Sequence, residues 1–386
     1  MHIAQLGRQP ELGLAELNQV YGRDNVVFLK DSGFALIKAP VGSSDINRLG
    51  GSIKLAEVLV KLSTANWREI ERNLSRNITK YVGTIPDGKL TIGLSAHGFN
   101  IQPHTVGATS LRLKKELKKL TSSIRVVPNK SATLNTAQVI HNHLTSPSGR
   151  EFIAVKDGPK TFLAITRGEQ DIESYTARDQ ARPARDAFVG MLPPKLAQIM
   201  INLAQPSVNA RILDPFCGTG VLLQEALLMG YDVYGTDLSD KMIDYSGRNL
   251  KWLHETFLTK DTYKLEQGDA MNATWSQPID AVVCETYLGQ PFSAPPSAAK
   301  LEEVRGNCNH IVSEFLRNIG SQVKPGTPLC IGIPAWRSTS GDFTHLPLIS
   351  ELKKLGYTQV RVSRDNLLYF RPDQVVAREI LVLQKI

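Results

Sequence analysis

The sequence predicts an α/β protein, with a doubly wound, Rossmann-like parallel sheet in the C-terminal half and smaller α+β modules before it. Three observations predict this class. The apolar residues 210–213 run into Asp214-Pro-Phe-Cys-Gly-Thr-Gly220, which reads as a strand turning into a helix through a glycine loop. A second short strand, Tyr231-Asp-Val-Tyr-Gly-Thr-Asp237, ends in an acid about 20 residues after the loop. A third strand end, Leu265-Glu-Gln-Gly-Asp-Ala270, supplies Asp269. Crossover units bring the carboxyl ends of successive parallel strands to one crevice, so three such ends in chain order predict a shared ligand-binding edge.

The elements follow in order. Residues 1–60 hold a strand-like start, an amphipathic helix over 11–21, two apolar strands over 25–29 and 34–37, and a second helix near 44–49, a small α+β module. Residues 61–172 alternate helix, strand and helix, with strand candidates at 90–94, 151–155 and 161–165. Residues 173–190, rich in Arg and Asp and containing Pro183, read as a connector to a doubly wound domain over 191–386. Within that domain the run 221–229 continues as a helix and Gly230 stops it. A fourth strand follows in Asp280-Ala-Val-Val-Cys-Glu-Thr-Tyr-Leu-Gly289, and residues 338–342 form a polar loop.

The loop and strand ends define the ligand. Gly218 and Gly220 let the backbone approach a bound molecule closely, and Thr219 adds a hydroxyl. Asp237 is placed to accept both hydroxyls of a ribose. The full G-x-G-x-x-G is missing, because Leu223 stands at its last position, so a smaller adenosine-containing molecule is expected rather than a dinucleotide pyrophosphate. Asp269 is placed for an adenine amino group. The competing readings are structural: Asp214 as a helix N-cap and Gly268-Asp269 as a simple turn.

The formal charge of +8 is unevenly spread. Residues 51–150 carry 15 Lys and Arg against 5 Asp and Glu, whereas residues 201–300 carry 7 against 12. A basic module joined to an acidic one points to a grip on a polyanion in one half and chemistry in the other. Leu111-Arg-Leu-Lys-Lys-Glu-Leu-Lys-Lys-Leu120 reads as an amphipathic helix with Leu113, Leu117 and Leu120 on its apolar face. Arg112, Lys114, Lys115, Lys118 and Lys119 lie on the other, with Arg125 and Lys130 just beyond. Such a face is either solvated or bound to phosphates, and the lack of nearby acids favours phosphates.

Other classes are excluded. Cys217, Cys284, Cys308 and Cys330 are scattered without C-x-x-C pairing, so neither a disulfide framework nor a zinc site is expected. His97, His104, His141 and His143 lack further ligands for a metal. No stretch reaches the length of a membrane span and the first residues lack a leader pattern, so a soluble, cytoplasmic protein with no membrane partner is expected.

On Arg178-Asp-Gln-Ala-Arg-Pro-Ala-Arg-Asp186, Met191-Leu-Pro-Pro-Lys-Leu-Ala-Gln-Ile-Met-Ile-Asn-Leu203, the loop Asp214–Gly220 and the opening Leu6-Gly-Arg-Gln-Pro-Glu-Leu-Gly-Leu-Ala-Glu-Leu17, the chain resembles the S-adenosylmethionine-dependent methyltransferases. More narrowly it resembles the THUMP-domain enzymes that modify the exocyclic N2 of guanosine in transfer RNA. The resemblance implies a ferredoxin-like module at 1–60, a THUMP RNA-binding domain at 61–172 and a methyltransferase domain at 191–386, whose last strands, 367–372 and 378–383, form an antiparallel hairpin. It implies S-adenosylmethionine as cofactor, held by Asp214, Phe216, Gly218, Thr219, Gly220, Asp237, Leu238, Asp269 and Ala270. It implies RNA, transfer RNA above all, as partner, met by Arg112, Lys114, Lys115, Lys118, Lys119 and Arg125, by the chain alone or with an activating subunit.

The family ends its fourth strand with Asp-Pro-Pro-Tyr; here Glu285 replaces the acid, Thr286 replaces a proline, and Tyr287 comes one position early when Gly289 is kept in register. The implied catalytic set is therefore Glu285, Thr286 and Tyr287. Two other readings stand beside it: an amino methyltransferase acting on DNA adenine or cytosine, and an RNA-binding relative that performs no transfer. A Cys284 thiolate of the 5-methylcytosine type lacks the expected Pro-Cys pair.

Overall fold

The computed structural model describes every residue of the chain other than 43, 86–88, 122, 187–190, 261 and 277. The chain divides into two compact units: one holds residues 1–10, 21–48 and 52–171, the other residues 11–20, 49–51 and 172–386.

The first unit is one eight-stranded sheet. In chain order its strands are β1 (His2–Leu6), β2 (Val26–Leu29), β3 (Phe34–Ile37), β4 (Ser52–Leu62), β5 (Leu90–His97), β6 (Ile124–Val126), β7 (Gly149–Asp157) and β8 (Lys160–Glu169), and they lie in the order β2-β3-β1-β4-β8-β7-β5-β6. The boundary expected near residue 60 falls inside β4, whose pairing with β1 on one side and β8 on the other makes the two expected modules share a sheet. The helix expected at 44–49 is a single 3-10 turn, Asp45–Arg48. Helix α1 (Pro10–Tyr21) follows β1 and α4 (Thr136–His141) precedes β7, while α2 (Trp67–Tyr81) and α3 (Pro103–Leu117) bury Ile70, Leu74, Ile78, Val106, Leu113 and Leu117 against Leu94, Phe152 and Leu163 of the sheet. The side chain of Asn66 starts α2 by accepting from the backbone of Arg68 at 3.0 Å. The basic helix expected over 111–120 begins earlier and stops at Leu117, so Leu120 falls beyond the apolar face and is 52 % exposed. A buried polar knot sits in this sheet: the Glu151 carboxylate accepts from Lys54 at 2.6 Å, Ser95 at 2.8 Å and Thr166 at 2.6 Å, which satisfies a charge that could not be buried alone.

The second unit carries the parallel sheet. Its strands are β9 (Arg211–Asp214), β10 (Asp232–Asp237), β11 (Tyr263–Gln267), β12 (Ala281–Glu285), β13 (Pro328–Arg337), β14 (Phe343–Thr344), β15 (Tyr357–Gln359), β16 (Leu367–Tyr369) and β17 (Val376–Lys385). The main path runs β11-β10-β9-β12-β13-β17-β15, with β14 on β13 and β16 on β17. Neighbours from β11 to β13 are parallel, while β17 is antiparallel to β13, β15 and β16. The strand order reverses between β9 and β12, so their carboxyl ends splay apart there and leave a crevice.

Alternation along the strands sends Ile212, Val233, Val283, Ile380 and Val382 to one face, beneath α6 (Pro194–Ala204), α7 (Val221–Leu228) and α8 (Asp240–Phe257). Leu213, Tyr234, Val282, Cys284 and Leu381 go to the other, beneath α9 (Ala298–Gly320). The expected connector is structured: α5 (Ile172–Thr176) and the π-helical turn Ala177–Ala181 belong to this unit. Burial explains it, since Arg178 is 6 % exposed and its Nε donates to Glu225 at 2.6 Å, a carboxylate also bonded by Gln198 at 2.9 Å. The last four residues of that segment, 187–190, lie outside the described residues. Among the described residues no helix is long and apolar enough to cross a membrane.

Candidate active site

The crevice is a cavity of about 890 Å³ at the carboxyl ends of β9, β10, β11 and β12. Its shape starts with the β9–α7 turn. Gly218 and Gly220 have φ of +52° and +78°, the left-handed region that side chains resist. A Cβ on Gly218 would meet nothing nearer than 4.0 Å, so this backbone is bare toward the cavity. Gly220 differs: it is not on the cavity wall, and a Cβ there would stand 2.9 Å from Ser246 Oγ. Its role is to bring α7 against α8.

Two α8 residues that the strand-end motifs do not include clamp this turn. Ser246 Oγ donates to the Gly218 carbonyl at 2.9 Å, and Asn249 Nδ2 donates to the Thr219 carbonyl at 2.8 Å. Asn249 also exchanges hydrogen bonds with the Ala184 backbone, both 2.9 Å, tying the segment before α6 to the loop. The available signal was their spacing: two polar residues three apart on the buried stripe of an amphipathic helix.

The strand ends supply acid. Asp214 is 3 % exposed and accepts from the Phe216 backbone at 3.1 Å. Burial pushes its carboxyl well above the usual range, and the charges of Asp237 and Glu285 push it the same way. Asp237 accepts from Gly218 N and Ser239 N, each at 2.9 Å, which fixes the carboxylate against the glycine turn. Asp269 uses Oδ1 on the Met271 backbone at 3.0 Å, leaving Oδ2 without a partner among the described residues. Phe216 packs edge-on against Phe315 with centroids 5.2 Å apart, Ala270 is buried, and Leu238 is 69 % exposed at the rim. The only cation on the described wall, Lys241, is paired with Asp186 at 2.8 Å. The cavity is thus acidic and suits a positively charged ligand.

At the end of β12, Glu285 takes a hydrogen bond on Oε1 from Arg378 Nε of β17. Thr286 is buried, and both its N and its Oγ1 donate to the Gly332 carbonyl, at 2.9 and 3.1 Å, so the hydroxyl is spent on the turn rather than offered to a ligand. Tyr287 is 43 % exposed on the cavity wall. Cys284 is fully buried, and burial raises its thiol well above the ordinary range, so it is no nucleophile.

The basic residues lie on the first unit. Lys115, Lys118 and Arg125 are exposed, whereas Arg112 is ion-paired with Glu71 and Lys119 with Glu116. The paired members present a reduced charge to any polyanion. Among the described residues no cluster of three or more His, Cys, Asp or Glu could hold a metal.

Residues 182–310 match the family model described as RMKL-like, methyltransferase domain. The tRNA (guanine(10)-N2)-dimethyltransferase of Pyrococcus abyssi is 43 % identical over 41 % of this chain and 42 % of its own length. The protein of the same name from Methanothermobacter thermautotrophicus is 34 % identical over 40 % of this chain and 43 % of its own length. The chain spans under half the length of these relatives. The crystal structure of TrmN from Thermus thermophilus superposes with a TM-score of 0.54 at 19 % identity, covering 100 % of this chain and 99 % of that one. That likeness shows the fold: a mixed α/β chain with the Rossmann-like architecture of methyltransferases.

Proposed function

We propose that the protein is an S-adenosylmethionine-dependent methyltransferase acting on an exocyclic base amine of RNA, namely N2 of a guanosine in transfer RNA. The observation that carries this reading is the cavity at the switch point, which brings Asp214, Asp237, Asp269 and Glu285 from four successive parallel strand ends to one wall beside the bare Gly218 turn. The names of the relatives support the substrate class. When bound, the cofactor supplies an electrophilic methyl group on a sulfonium cation.

The residues present fit that molecule. The bare Gly218 backbone admits close approach, Asp237 accepts the ribose hydroxyls while its turn is held by Gly218 N and Ser239 N, and Asp269 Oδ2 accepts from the adenine amine. Leu238, Ala270 and Phe216 give the adenosine apolar contact. The chain's own part in the reaction is placement. Tyr287 stacks on a base turned out of its neighbours, and the Glu285 carboxylate orients the amine and takes its proton after transfer. Thr286 stiffens the turn between them through its two bonds to Gly332. Residues 61–172 act as a THUMP-like RNA grip in this reading, with Lys114, Lys115, Lys118 and Arg125 contacting phosphates.

Transfer of a labelled methyl group from S-adenosylmethionine to bulk transfer RNA tests the proposal, with duplex DNA alongside. Labelled N2-methylguanosine is the expected product. No incorporation into either nucleic acid rejects the reaction, and labelling of DNA at adenine or cytosine replaces the substrate.

A further inference from the structure

We propose that Arg378 is a positioning residue of this site: its guanidinium holds the Glu285 carboxylate so that the second oxygen is presented to the target amine. The proposal rests on the role given to Glu285 above and adds the residue that lets a glutamate perform it.

The geometry is specific. Arg378 Nε donates to Glu285 Oε1, with the two side chains 8 % and 17 % exposed, and Oε2 has no partner among the described residues. Arg378 itself is not on the cavity wall, whereas Glu285 is, so any influence of the guanidinium on a bound molecule passes through the carboxylate. The two residues sit on strands that are not neighbours, with β13 between them. Between them β13 places Gly332, in register with Glu285 on one side and Ile380 on the other. A Cβ on Gly332 would lie in ordinary contact with Ile380 Cδ1 at 3.5 Å, Met200 Cε at 3.6 Å and Glu285 Cα at 3.8 Å. Tyr369, opposite Arg378 in β16, backs the guanidinium with its ring centroid 5.9 Å from Cζ.

The physical need comes from the side chain. A glutamate has one more rotatable bond than an aspartate, and an untethered carboxylate at the cavity edge samples several rotamers, only some of which meet an amine. An arginine bonded to one oxygen removes that freedom and leaves the other oxygen's lone pairs available. The Thr286–Gly332 bonds fix the turn, and the Arg378 bond fixes the acid that precedes it.

The test measures methyl transfer to bulk transfer RNA and, by calorimetry, S-adenosylmethionine affinity for the wild type, Arg378→Lys, Arg378→Met, Glu285→Gln and the Arg378→Lys/Glu285→Gln double variant. Arg378→Met should lower kcat on the order of 10- to 100-fold, the cost of a misplaced group, with cofactor affinity and the KM for transfer RNA unchanged. Arg378→Lys, which keeps the charge without the planar fork, should recover part of that loss. In the Glu285→Gln background Arg378→Lys should cost nothing further, because its effect acts through the carboxylate. Wild-type kcat in both Arg378 variants overturns the proposal, as does an equal loss with and without Glu285. Should Arg378→Met fail to fold, the lysine variant and its cycle decide. A wild type that transfers no methyl group removes the reaction and with it this role; transfer that continues at the wild-type rate in Arg378→Met and Arg378→Lys removes this role alone.

Discussion

Replacing Asp237 by alanine isolates the interaction on which cofactor binding depends. In the protein alone the carboxylate accepts from Gly218 N and Ser239 N at 2.9 Å each. Those donors sit at a partly exposed strand end where water can replace the missing oxygens, so the stability cost should stay near 1 kcal/mol. The ligand loses more. Two ribose hydroxyls forfeit hydrogen bonds to a charged acceptor, each worth about 1.5–3 kcal/mol, and taking the lower value for a half-open site gives about 3 kcal/mol. At 1.4 kcal/mol per factor of ten this is about a 150-fold rise in Kd. Calorimetric titration of S-adenosylmethionine into both proteins measures it, with thermal unfolding as the check on folding. Asp232→Ala serves as control: it begins the same strand, away from the cavity, and its ion pair with Arg211, at 3.9 Å, is partly exposed and worth about 0–1 kcal/mol. A folded Asp237→Ala protein with wild-type affinity refutes the reasoning.

Three further outcomes are expected. Asp214 has its carboxyl raised in the folded state, so the unfolded chain releases its proton first and the wild type loses stability as pH rises from about 4 through the folded value; Asp214→Asn should remove that loss and raise the unfolding midpoint at neutral pH while weakening cofactor binding, as a pH series of thermal melts with titrations reads directly. Gly220→Ala places a side chain at φ +78° and 2.9 Å from Ser246 Oγ, so the protein should lose more than the about 1–2 kcal/mol that the dihedral alone costs, read as a drop in urea denaturation midpoint, and an unchanged midpoint would refute the strain. Lys115→Glu with Lys118→Glu, both exposed on or just after α3, should weaken transfer RNA binding and flatten the dependence of log K on log salt by about one for each phosphate no longer held, and an unchanged slope would remove α3 from the interface.

How much of this was legible varies from residue to residue. The turn after β9 was readable because Gly218 and Gly220 are required by local dihedrals, and β10 and β11 were readable because short apolar runs ending in Asp or Gly-Asp announce strand ends wherever they fold. The terminal hairpin was implied by the family resemblance, and β16 does pair with β17. What escaped was set by interactions distant in sequence. A pattern of period 3.6 places Leu120 on the apolar face but cannot say that α3 ends at Leu117. Residues 173–190 read as a connector because they are rich in Arg and Asp and contain Pro183, yet Arg178 finds Glu225 forty-seven positions away and becomes core.

The sequence by itself determined the glycine turn, the acids at three successive strand ends and the uneven charge, because these are carried by a few neighbouring residues at a time. Only the tertiary structure decided that Gly220 serves packing while Gly218 faces the cavity, that Thr286 spends its hydroxyl on Gly332, and that Glu285 meets Arg378 across an intervening strand. Such pairings depend on which strands become neighbours and in what register, a property of the assembled sheet rather than of any segment.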